Sequence, residues 1–270
     1  MYQKIRLQSL TGRLFPKSSL ARFKSLDKWV VFFFLLEDWM ETLEKGKIKM
    51  FHLSLKNSLD HIMRYPKDSS LLDFPFAQAF HNIWIELLDF KRGESIIYFK
   101  RSIQKYFDAK IWLSDFLDSQ SCPSVSDYLI SLSHLEGAII FLNLAWVEIN
   151  ISRTSLNTAL NELEFRVGRL IGISNELIYN SQEIEMEHFS LFKLIHKEYK
   201  LPEHRCLYLL QNMGIQYLQS ILEMEKEYKK EQNTIMLQYL EIAKLMSAGF
   251  KAWALEYQNF IENPINGKYK

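Results

Sequence analysis

Val30-Val31-Phe32-Phe33-Phe34-Leu35-Leu36 runs directly into Glu37-Asp38-Trp39-Met40-Glu41. Trp29 to Leu36 is the most apolar stretch of the chain, yet it is far too short to cross a bilayer and it ends in acids. In a helix, Glu37 and Glu41 lie one turn apart on one face, with Asp38 beside them. Like charges at that spacing repel and cost helix stability, so solvent, a cation or a raised pKa must offset them. Hard divalent cations favour such oxygen clusters, and magnesium combines few carboxylates with substrate phosphates. The plain alternative is a solvated acidic helix end, balanced by Lys45 and Lys47.

A second polar stripe follows far downstream, in Ser174-Asn175-Glu176-Leu177-Ile178-Tyr179-Asn180-Ser181-Gln182-Glu183. Asn175, Tyr179 and Glu183 are spaced by four and form one stripe of a helix. Asn and Glu offer a carbonyl and a carboxylate to a hard metal. Taken alone the pattern is weak, since many exposed helices carry it.

Outward from these two segments the chain reads as all-α. It has 270 residues, 48% of them apolar, which suffices for a sizeable core. Only 9 Gly and 6 Pro occur, against a turn-rich β chain. Pro16, Pro66, Pro75, Pro123, Pro202 and Pro264 each stand beside polar or turn-like residues and punctuate segments with apolar spacings of three and four. The spacing predicts helices over 19–45, 49–64, 75–91, 94–119, 125–150, 155–187, 188–199, 203–230 and 232–261. Ser124 with Asp127 forms a short N-terminal cap. No repeat or linker is visible, so one domain over 1–270 is the simplest reading, with its core over 8–260.

Lys plus Arg, at 33, nearly balances Asp plus Glu, at 32, so nothing points to nucleic acid or an anionic membrane, and any anion site must be local. Cys122 and Cys206 give neither a disulfide framework nor a zinc spacing and read as reduced thiols of a cytoplasmic protein. No secretory leader pattern is visible. The seven histidines show no ligand spacing. Aromatic residues make up 14% of the chain; singly they read as core, and together they could line a cavity whose π faces stabilise a cation.

The two polar segments, their order and their separation resemble the metal motifs of compact, single-domain class I terpene synthases. The first family motif is D-D-x-x-D or D-D-x-x-E after an apolar helix, here Glu37-Asp38-Trp39-Met40-Glu41. The second is N-D-x-x-S-x-x-x-E, here Asn175 to Glu183. Leu10-Thr11-Gly12-Arg13-Leu14-Phe15-Pro16, Pro75-Phe76-Ala77-Gln78-Ala79, Pro123-Ser124-Val125-Ser126-Asp127-Tyr128-Leu129 and Ser247-Ala248-Gly249-Phe250-Lys251-Ala252-Trp253 are similar to family flanks, and the resemblance covers residues 8–260. It implies a helical bundle around a central cavity, with a kinked helix broken at Gly137. It further implies magnesium, three ions with bound diphosphate, held by Glu37, Asp38, Glu41, Asn175, Tyr179 and Glu183. The implied substrate is a geranyl- or farnesyl-type prenyl diphosphate, ionised and then cyclised without a protein nucleophile. The resemblance also admits a homodimer.

The chain departs from the family at the diphosphate-binding positions. Ser133 stands where the family has an arginine sensor, Tyr179 where it has Ser or Thr, Gln182 where it has Lys or Arg, and Asn259-Phe260 where it has Arg-Tyr. Each charged hydrogen bond to phosphate contributes about 1.5–3 kcal/mol, so these losses amount to several kcal/mol unless Arg166, Arg169, Lys193, Lys197 or Lys251 replaces them. Two readings follow: an active, divergent synthase, and a catalytically impaired relative that binds a lipid, a prenyl ligand or a protein partner. A chain-elongating prenyltransferase is disfavoured, because Asn175-Glu176-Leu177-Ile178-Tyr179 does not resemble a second aspartate-rich motif.

Overall fold

The computed structural model describes residues 7–68, 70, 74–90, 94–149, 157–179 and 189–262. All regular structure among them is helical: α1 (Leu7–Leu14), α2 (Leu20–Glu41), α3 (Lys45–Arg64), α4 (Pro75–Phe90), α5 (Glu94–Asp118), α6 (Val125–Leu135), α7 (Ala138–Ile149), α8 (Asn157–Tyr179), α9 (Leu191–Tyr199), α10 (Glu203–Lys230) and α11 (Thr234–Glu262). Contacts divide the chain into two compact units. One holds Met1–Pro16, Ser124–Ala138 and Thr158–Lys270; the other holds Lys17–Pro123 and Ile139–Asn157.

The unit built on α2 to α5 and α7 has an aromatic core. Trp29 is fully buried and meets Phe80, Trp84 and Phe99 edge-on, at centroid distances of 5.4, 6.4 and 5.0 Å. Edge-to-face pairs add about 0.5–1.5 kcal/mol each to the gain from burial. These rings pack against one another as core. Phe33 extends the cluster to Tyr106 of α5 and Phe141 of α7. By contrast Trp39, among the acids at the end of α2, is 46% exposed. That helix stops at Glu41 rather than at residue 45: the Thr42 and Leu43 amides donate three residues back, to the Trp39 and Met40 carbonyls at 3.0 and 3.1 Å, and this tightened turn closes it.

In the other unit α1 lies against α11. Sequence reasoning missed α1: its eight residues carry too short a pattern to read as a helix. Tertiary packing stabilises it, through buried Leu7, Leu10 and Leu14 and an Arg13–Glu256 ion pair at 2.6 Å. Gly249 of α11 admits the approach, since a Cβ there would stand 2.6 Å from the Arg13 carbonyl oxygen.

The expected helix over 125–150 is broken in two. Ser124 caps α6, its Oγ accepting from the Asp127 amide at 3.0 Å. After Leu135 the chain turns through Gly137, whose φ of 66° suits glycine and strains other residues. Val125–Val147, spanning this break, is apolar and long enough to cross a membrane by composition, yet 72% of its most apolar window is buried inside the protein. The break and the burial are those of a core element.

Candidate functional site

At the end of α2, Glu37 and Asp38 are half-buried and Glu41 is exposed. Glu37 already has partners. Tyr106 of α5 donates its hydroxyl to the carboxylate, and the Lys110 ammonium lies 2.8 Å away. Lys110 is largely buried, with 18% of its side chain exposed. One turn of α5 separates Tyr106 from Lys110, so both reach the same face. Behind the cluster His52 of α3 is buried between Met40 and Ser114. Burial, and then the Lys110 charge, lower its pKa to about 3, so the imidazole is neutral.

On α8, Asn175 stands half-buried and donates its Nδ2 to the Glu136 carboxylate at 2.5 Å. Its Oδ1 is buried and has no hydrogen-bond partner. Glu176, next in sequence, is buried and accepts from the backbone amides of Leu191 and Phe192 at 2.8 and 3.4 Å. It thereby anchors the start of α9, where anionic oxygen meets unsatisfied N–H groups. Tyr128 donates to the Phe189 carbonyl at 3.2 Å. Burial, and then the carboxylates of Glu176 and Glu136, push this phenol well above its ordinary range.

Ser133 is fully buried on α6 and its Oγ has no hydrogen-bond partner. Gly168 of α8 lies so close that a Cβ there would stand 2.8 Å from the Ser133 Cβ. The candidate replacement cations Arg166 and Arg169 are half-buried and already bonded to protein groups. Arg166 bonds Glu162 and the Ser220 carbonyl. Arg169 donates to the Leu129 carbonyl and the Tyr217 hydroxyl and stacks on Phe165 at 3.8 Å. Lys251 is exposed. Tyr179 is the last residue of α8, and Asn259 and Phe260 lie in α11. Gln182 and Glu183 fall outside the described residues. Cys122 is exposed and Cys206 is buried, and no disulfide joins them.

Among the described residues no three His, Cys, Asp or Glu side chains gather closely enough to hold a metal by themselves. The donors fit a magnesium ion in the other way such ions are held, by few protein oxygens with phosphate completing the shell. The Asn175 Oδ1 is such an oxygen: buried, without a donor, and beside a carboxylate. Sequence reasoning missed Tyr106, Lys110 and Glu136. The four-residue spacing of Tyr106 and Lys110 marks a shared face, but no local signal names Glu37 as its partner.

Helices in this order, a glycine break between α6 and α7, and polar motifs on α2 and α8 define a class I terpene synthase fold. Solved structures with that fold include linalool/nerolidol synthase from Streptomyces clavuligerus (TM-score 0.82, 11% identity, 94% of this chain and 89% of that one). The same enzyme in complex with 2-fluorogeranyl diphosphate matches at TM-score 0.82 and 12% identity, over 94% of this chain and 89% of that one. Wild-type cucumene synthase matches at TM-score 0.77 and 13% identity, over 93% and 86%. At such identities the likeness is one of fold. The family model for terpene synthase family 2, C-terminal metal binding, matches residues 28–220, and the chain belongs to that family. No curated protein matches the sequence.

Proposed function

We propose that the protein ionises a prenyl diphosphate of geranyl or farnesyl type with magnesium and cyclises the resulting cation. The observation that carries this reading is the Asn175 Oδ1, a buried oxygen at the first position of the second motif with nothing in the protein donating to it. Asp38 and Glu41 supply carboxylates from the first motif, Glu37 joins them when it exchanges its protein partners, and Glu183 completes the second set. Magnesium, when bound, supplies Lewis-acid assistance to departure of the diphosphate. The chain's own part is to hold hard oxygens in place for the cation that grips the diphosphate. Support comes also from the family's metal-binding description and from the diphosphate complex of a fold relative.

The test is diphosphate release from geranyl, farnesyl and geranylgeranyl diphosphates with magnesium and with a chelator. We expect release from at least one, abolished by chelation; no release from any of the three sinks the reading.

A second reading is favoured by one observation, the burial of Ser133 where the family's guanidinium is missing. It is a non-catalytic relative that binds a lipid, a prenyl ligand or a protein. Calorimetry separates the two: tight magnesium-dependent binding of diphosphate counts against the non-catalytic reading.

A further inference from the structure

We propose that Glu136 is a positioning residue that fixes the Asn175 amide with its carbonyl oxygen presented to the metal; this rests on the proposed function above. A side-chain amide has a donor end and an acceptor end, and its partner decides which end points where. An ionised carboxylate only accepts. Glu136 takes the Asn175 Nδ2 at 2.5 Å, so the opposite rotamer would press two acceptor oxygens together. The Oδ1 is left buried with no donor of its own, and an oxygen in that state suits a hard cation.

The backbone holds Glu136 in place. It is the C-terminal cap residue of α6, its amide donating to the Leu132 carbonyl at 3.3 Å. The next residue, Gly137, takes the left-handed conformation and donates to the His134 carbonyl at 3.1 Å. A carboxylate carried on a pinned helix end is a stable reference against which an amide can be oriented. Outer partners of metal ligands act in this way, and their loss costs about 10- to 100-fold in metal affinity.

The experiment is calorimetric binding of inorganic diphosphate in excess magnesium, on the full chain and on Glu136→Gln, Glu136→Ala and Glu136→Met. Glu136→Gln keeps an acceptor oxygen and is expected within about threefold of the unaltered protein. Glu136→Ala and Glu136→Met, the latter filling the space without an acceptor, are expected to bind about 10- to 100-fold more weakly. Circular dichroism identifies any variant that does not fold, and the other acceptor-free variant then carries the comparison. Unchanged binding in an acceptor-free variant overturns the role of Glu136 alone. Glu136→Gln falling as far as Glu136→Ala overturns it too, since charge rather than orientation would then be what matters. No magnesium-dependent binding in the unaltered protein overturns the functional reading, and this inference with it.

Discussion

Lys110 lies 2.8 Å from Glu37, so the first acid of the α2 cluster is already half of an ion pair. The contact answers the repulsion that the sequence implies, because a cation carried by α5 faces the acid that would otherwise be unbalanced. It also sets a competition, since any metal drawn to Glu37 must displace an ammonium.

Removing that competitor should have two effects. Lys110→Met should destabilise the fold by about 1–2 kcal/mol, as for a lost charged hydrogen bond on a partly solvated group. It should also lower the magnesium concentration that half-saturates diphosphate release. Urea unfolding reads the first and a magnesium titration of activity reads the second. A higher magnesium requirement would show that Lys110 assists the site rather than competing with it.

The close approach of Gly168 to Ser133 makes a prediction about size. Gly168→Ala puts a methyl 2.8 Å from the Ser133 Cβ and 3.1 Å from its carbonyl oxygen. Overpacking of this kind costs about 1–3 kcal/mol. Ser133→Arg, which restores the family's residue, should be worse and should not raise activity, because the position is fully buried. Ser133→Ala should be neutral or slightly stabilising, since the Oγ has no hydrogen bond to lose. Thermal unfolding midpoints order the three, and a stable, more active Ser133→Arg would refute the packing argument.

His52 gives the fold a pH dependence with a definite sign. Its folded pKa, about 3, lies below the ordinary 6.5, from burial first and the Lys110 charge second. As pH falls, the unfolded chain takes up the proton before the folded one does. The contribution to stability is therefore complete above about pH 6.5 and is lost towards pH 3, by at most about 1.4 kcal/mol per pH unit. Glutamine cannot titrate, so His52→Gln should unfold with a shallower pH dependence over that window. Urea midpoints at several pH values test this; parallel curves for the two proteins would refute it.

Glu176 shows how a motif position can act structurally. Its carboxylate takes the Leu191 and Phe192 amides. Glu176→Ala should remove that anchor and cost about 1–2 kcal/mol, in the range of a lost helix cap. Amide exchange along α9 should then speed up locally. Exchange that rises equally in every helix would point to global destabilisation instead.

Much of this was legible beforehand, for identifiable reasons. Long helices announce themselves through repeated apolar spacing, and α10 occupies the expected range 203–230. The Ser124 cap depends on one or two residues whose chemistry leaves few options, so it too was readable, whereas apolar spacing predicts an unbroken helix over 125–150 and only the family resemblance implies the break at Gly137. Helix α1 was not, because its stability lies in contact with α11 rather than in its own eight residues. The site divides in the same way. Spacing singles out Glu37 and Asn175, but their partners Lys110 and Glu136 stand 73 and 39 positions away in sequence. Nothing local in a chain encodes a pairing of that kind.

The unequal burial of the tryptophans gives the molecule an optical handle. Trp29, Trp84 and Trp146 are sealed in the interior, whereas the indole of Trp39 reaches solvent between Asp38 and Glu41. A soluble quencher therefore samples the acid-flanked ring ahead of the sealed ones. Caesium, drawn in by the flanking carboxylates, should extinguish its emission more efficiently than iodide, which they repel.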